Sequence, residues 1–137
     1  MKNVKVRVFV ILGVIFSLLS FKSYTASSYY SFRMRNRVVD GSKNGQYHTL
    51  SKGRVYISGN CYVTGKDYSQ ALQADLKYTL YEERWGWDKE YNTINSGTRT
   101  TVRGYMGTVK GGSKYYLLIY TTERDYHHRS GSGRLHN

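Results

Sequence analysis

From Leu72 to Tyr81 the chain alternates with a period of two. Leu72, Ala74, Leu76, Tyr78 and Leu80 fall on one side, and Gln73, Asp75, Lys77, Thr79 and Tyr81 on the other. An extended backbone points successive side chains to opposite faces, so this pattern predicts a strand with one face in a core. Trp85 and Trp87 follow around Gly86, and the residues up to Ile94 read as the turn and return strand of a hairpin.

The same alternation recurs. Tyr30, Phe32, Met34 and Val38 share one face of a predicted strand, opposite Ser31, Arg33, Arg35 and Arg37. Gln46 to Leu50 is a short strand. In the next, Arg54 to Val63, Val55, Ile57, Cys61 and Val63 are set against Tyr56, Ser58, Asn60 and Tyr62. Thr98 to Val109 places Val102 and Met106 opposite Arg99, Arg103 and Tyr105. Lys114 to Glu123 is apolar on both sides, the mark of a central position in a sheet. Asp40-Gly41, Asn44-Gly45, Asn95-Ser96-Gly97 and Gly111-Gly112 supply turn chemistry between the strands. No stretch carries helical spacing over ten residues, and there is no proline. The expected fold is therefore all-β: one small antiparallel β-sandwich, or a small barrel, of about seven strands.

The first 26 residues differ. Lys2, Lys5 and Arg7 precede an apolar run from Val8 to Leu19, and small polar residues follow. That order predicts a helical signal peptide over 1–26, removed after Ala26 or within the next two residues. The rival reading, a membrane anchor, asks for about 20 apolar residues, more than this run provides. The expected organisation is a signal peptide at 1–26, a β-sandwich domain at 27–124 and a flexible tail at 125–137. The tail reading rests on the polar, glycine-rich run Asp125 to Asn137. Cleavage would remove four of the 21 Lys and Arg and none of the nine Asp and Glu, leaving a formal +8. Cys61 is the lone cysteine, so no internal disulfide can form. Its parity predicts a buried thiol, with an intermolecular disulfide as the alternative. The expectation is a secreted, or cell-wall associated, bacterial protein.

Function is less legible. Arg33, Arg35, Arg37, Arg99 and Arg103 project from non-core sides, and guanidiniums fork onto phosphate or carboxylate. The plainer reading of these arginines is a solvated face that favours solubility. Trp85, Trp87 and Tyr81 share an outward parity suited to stacking on sugars or partner proteins. A tyrosine-rich outer sheet face, or a Trp turned inward at Gly86, are the plainer alternatives there. Glu82, Glu83, Asp88 and Glu90 form an acidic cluster that glycosidase chemistry could use. Beside Arg84 and Lys89 they read more simply as a charged turn. Adjacent His127 and His128 point apart on a strand, so they do not preform a metal site. No cofactor or metal motif is present in the sequence. The expected function is a non-enzymatic cationic domain that binds an anionic cell-wall polymer or polysaccharide. An antibacterial, toxin-like protein drawn to an anionic membrane is the second expectation, a secreted hydrolase or nuclease the third. Nucleic acid is the less favoured partner.

Overall fold

The computed structural model describes residues 26–35 and 37–137. The signal-peptide reading therefore falls, but for Ala26, outside the described residues. Nine strands and no helix occupy them: β1 (Ser27–Met34), β2 (Val38–Asp40), β3 (His48–Leu50), β4 (Gly53–Lys66), β5 (Leu76–Glu82), β6 (Lys89–Gly97), β7 (Thr101–Val109), β8 (Gly112–Thr121) and β9 (His127–His136). They form two antiparallel sheets. The first has the order β1-β9-β4-β7; the second runs β2-β8-β5-β6, with β3 also pairing β8.

The core lies between the sheets, and the alternation put it there. Tyr30, Phe32 and Met34 of β1, Val55, Ile57 and Cys61 of β4, and Val102 and Met106 of β7 are buried from one side. Leu76, Tyr78 and Leu80 of β5 and Tyr115, Leu117 and Ile119 of β8 meet them from the other. Tyr30 and Phe32 reach Tyr78 across the gap, edge to face, at centroid separations of 6.3 and 6.1 Å. Burying apolar area of this kind is the main favourable term in folding. Cys61 is free and buried, and burial pushes its thiol pKa up.

Four expectations are corrected. Residues 125–137 are not a loose tail: Asp125, His127, Arg129 and Leu135 are buried, and β9 lies between β1 and β4. The predicted strand Tyr30–Val38 is two strands. β1 ends at Met34, the chain crosses to the other sheet, and Val39 of β2 takes the core side while Val38 is exposed. The central strand begins at Leu76, leaving Leu72 exposed in the preceding loop. Val63, beyond Cys61, is exposed near the end of β4.

β3 carries a buried histidine. His48 is 1% exposed, and its Nδ1 lies 2.9 Å from Ser28 Oγ. Desolvation lowers its pKa from 6.5 to about 4. The unfolded chain then binds more protons than the folded one between those values, so stability rises with pH across that window. Full stability from this group is present above about pH 6.5 and is lost as pH falls through about 4, a loss of roughly 3 kcal/mol at 1.36 kcal/mol per pKa unit. Urea unfolding at pH 7 and pH 4 should show this loss in the parent chain. In His48→Gln the pH-dependent loss should shrink by about that amount; an identical loss in both would remove the assignment.

Candidate binding face

The register of the four-stranded sheet lines up its solvent side in rows. Tyr29 of β1, Arg134 of β9, Ser58 of β4 and Arg103 of β7 form one row. Ser31, Ser132, Asn60 and Thr101 form the next, and Arg33, Ser130 and Tyr62 the one after. Neighbouring strands lie about 4.8 Å apart, so Arg134 and Arg103, two strands apart, stand about 10 Å from each other at the backbone.

The middle of this face is low because its side chains are small. Ser130 and Ser132 face outward from β9, and Gly131 and Gly133 alternate with them on the core side. Two hollows adjoin over this floor and share Asn60 and Ser132. One, of ≈ 640 Å³, is bordered by Arg33 and Tyr62; the other, of ≈ 510 Å³, by Tyr29 and Arg134. Tyr29 and Tyr62 are exposed and stand as walls. The floor thus offers hydroxyls and an amide, and the rims offer guanidiniums and flat rings.

The electrostatics are one-sided. The strands of this sheet hold Arg33, Arg54, Lys66, Arg103, Arg129 and Arg134, and none of the chain's nine Asp and Glu. Arg129 alone of these is buried. At the end of the face His136 stacks on Tyr56, with centroids 6.1 Å apart and planes 27° from parallel. Its pKa is lowered by burial and then by the charges of Arg134 and Arg103.

The structure scatters the expected site residues. Arg33 and Arg103 are on this face, near its opposite edges. Arg99 folds back over its own turn, donating to the carbonyl oxygens of Ser96 (3.0 Å) and Asn95 (3.4 Å). Arg35 and Arg37 lie beyond the end of β1, and Arg37 donates to the Thr122 carbonyl oxygen. The five arginines therefore do not form a single field. Tyr81 is half-buried on the other sheet, stacked on Tyr116 at 5.5 Å and donating to Glu90 at 2.9 Å. Trp85 and Trp87 sit at the tip of the β5–β6 hairpin, 104% and 92% exposed. They are outward as expected, but they belong to the other sheet's hairpin and not to this face.

The acidic cluster has a structural use. Tyr47 donates to Glu83, Tyr81 to Glu90, Tyr91 to Glu82 and Tyr116 to Asp88, at 2.7–2.9 Å. The Arg84 bond holds the Glu82 carboxyl below its usual pKa, and the Tyr116 bond does the same for Asp88. A general acid needs the opposite shift. His127 and His128 do point apart: His127 is buried, and His128 meets Asp67 at 2.8 Å.

Arg134 was missed by sequence reasoning, together with the serine floor. The available signal was the alternation His128, Ser130, Ser132, Arg134, His136 against His127, Arg129, Gly131, Gly133, Leu135. It is faint because only Leu135 on the inward side is apolar.

No family model matches the chain, and no curated protein matches it in sequence. Among solved structures it is similar to the Yersinia pseudotuberculosis-derived mitogen, at 13% identity and a TM-score of 0.43, over 80% of this chain and 85% of that one. It is also similar to the Drosophila NLP core, whose structure concerns pentamer formation and histone binding. There the identity is 9% and the TM-score 0.33, over 79% of this chain and 94% of that one. At these scores neither supports a function for this chain.

Proposed function

We propose that this chain is a secreted, non-enzymatic binding domain whose four-stranded sheet takes an anionic polysaccharide or wall polymer along its outer face. The observation that carries the reading is the arrangement of Arg33, Arg103 and Arg134 around a carboxylate-free floor of Ser31, Ser58, Asn60, Ser130 and Ser132. Guanidiniums supply charge-assisted, two-pronged hydrogen bonds to carboxylate or phosphate oxygens. Serine and asparagine supply neutral hydrogen bonds to sugar hydroxyls. Tyr29 and Tyr62 offer ring faces against which a sugar can lie, with their hydroxyl ends still wet. A sheet surface spanning four strands suits an extended ligand better than a compact one. The signal-like leader is the support for secretion. The lowered pKa of Glu82 and Asp88, each held by a hydrogen bond, counts against either serving as a general acid.

Co-sedimentation with isolated bacterial cell walls, native and stripped of teichoic acid, tests this reading. The parent chain should bind and be released by salt, because exposed charge attraction is screened. Changing Arg33, Arg103 and Arg134 to Ser together should weaken binding by at least about tenfold, since a hydrogen bond to a charged group contributes about 1.5–3 kcal/mol. The three side chains are exposed, so the melting temperature should hold within a few degrees. Equal binding by parent and triple variant would sink the proposal.

A further inference from the structure

A second constellation sits at the end of the sandwich where β1 and β8 finish and β9 begins. A cavity of ≈ 340 Å³ opens there, with Arg35, Arg37 and Arg124 in its lining beside Asp67, Asp125 and His127. The lining carboxylates are already engaged. Asp125 accepts the backbone N–H of Ala74 (2.9 Å) and of His127 (3.1 Å), and its Oδ2 is also paired with the buried guanidinium of Arg129. Asp67 meets the ring of His128 at 2.8 Å.

The cationic side is not matched in this way. Arg37 gives one guanidinium N–H to the Thr122 carbonyl oxygen. Arg124 lies over the Tyr126 ring, its Cζ 4.8 Å from the centroid, a contact that uses none of the N–H donors in a conventional hydrogen bond. Arg35 is exposed. His127 donates its Nδ1–H to the Asp125 carbonyl oxygen at 2.8 Å, which leaves Nε2 as an acceptor, able to take the O–H of a singly protonated phosphate. Tyr126, also in the lining, has φ of 56°, the one positive φ outside glycine among the described residues. Backbone held in that region gathers at ligand sites, where surrounding structure enforces it.

We infer that this cavity is a site for a compact phosphate monoester, held by Arg35, Arg37 and Arg124 with His127 at its wall. Three forks of N–H groups suit a tetrahedral group that presents three terminal oxygens and close to two negative charges. The volume is at the low end for ligand pockets, which fits a small organic phosphate and not a polymer chain. The site is separate from the sheet face and does not depend on the polymer reading.

Isothermal titration of the mature chain with glucose 6-phosphate, and with glucose, at fixed ionic strength tests this inference. The phosphate ester should bind saturably at one site, and glucose should not. Arg35→Ser and Arg124→Ser should each weaken binding at least tenfold. Arg134→Ser, which addresses the polymer face, should leave it unchanged. A matched melting temperature for each variant shows that the fold is kept. Absence of saturable binding, equal binding of glucose, parent-like affinity in the Arg35→Ser and Arg124→Ser variants, or a loss confined to Arg134→Ser would each overturn the assignment. Because cell-wall binding is read on other residues, failure here leaves that proposal standing, and the reverse holds too.

Discussion

A chain ending at Arg124 is expected not to fold. The missing residues contain β9, which pairs with β1 along one edge and with β4 along the other. Without it β1 has no partner strand, and the first sheet is reduced to β4 and β7. Two strands alone are marginal in water. The core also loses Leu135, which is fully buried, and the brace in which Arg129 ties Asp125 and the Ala74 carbonyl oxygen together. Far-ultraviolet circular dichroism during heating should show no cooperative transition in the truncated chain, and limited proteolysis should degrade it promptly. A sharp melt within a few degrees of the full chain would restore the reading of 125–137 as a dispensable tail.

Gly133→Ala should be nearly as damaging, although it adds one methyl group. Gly133 sits on the core side of β9, directly opposite Tyr30 of β1 and Gly59 of β4. A Cβ there would overlap the Ser58 carbonyl oxygen, and it would lie 2.6 Å from the Gly59 Cα and 2.7 Å from the Tyr30 hydroxyl. Two of these neighbours are backbone, which can move only if the strands part. Gly131 repeats the arrangement: a Cβ there would lie 2.5 and 2.7 Å from two ring carbons of Phe32 and 2.7 Å from the Asn60 carbonyl oxygen. The large side chains of β1 thus extend over β9 because β9 presents glycine to them. Overpacking a filled core costs about 1–3 kcal/mol and sometimes more, and the backbone contacts place this case at the upper end. For a domain near 100 residues that corresponds to a melting point lower by more than about 10 °C. Gly65→Ala is the control: its Cβ would meet only the His128 ring, at an ordinary 3.6 Å, and the melt should move by no more than a degree or two. Equal melting of Gly133→Ala and the parent would refute this packing account.

These two expectations also explain what could be read before the structure. Within the strands the period of two located the core: Tyr30, Phe32 and Met34, Val55 and Ile57, Val102 and Met106, and Tyr115, Leu117 and Ile119 are all buried, whereas it misplaced Val38, Val63 and Leu72, near or beyond strand ends. Turn chemistry was equally plain, since Gly45, Gly86, Gly97 and Gly111 all adopt positive φ. β9 escaped because its contribution to the core is largely an absence of side chain. Gly131 and Gly133 make room for rings that come from β1, and no local window of sequence contains both halves of that fit. Arg129 is polar and buried, and its partners, Asp125 and the Ala74 carbonyl oxygen, lie outside β9. The candidate face was half legible for the same reason. Arg33 and Arg103 follow from parity on recognisable strands, whereas Arg134 lies on the strand that went unseen. Arg35 and Arg37 share the parity of Arg33 on paper. The crossover after Met34 takes them off the sheet, and alternation carries no sign of where a strand stops.

The exposed hairpin tip has a practical outcome for spectroscopy. Trp85 and Trp87 are the two indoles of the chain, and water already surrounds both. Tryptophan emission will therefore stay almost constant while the core melts, and tyrosines such as Tyr78 and Tyr115 will carry the unfolding signal. The same silence makes the indoles a clean built-in probe, because a change in their emission would report an encounter at the tip and not a change in the interior.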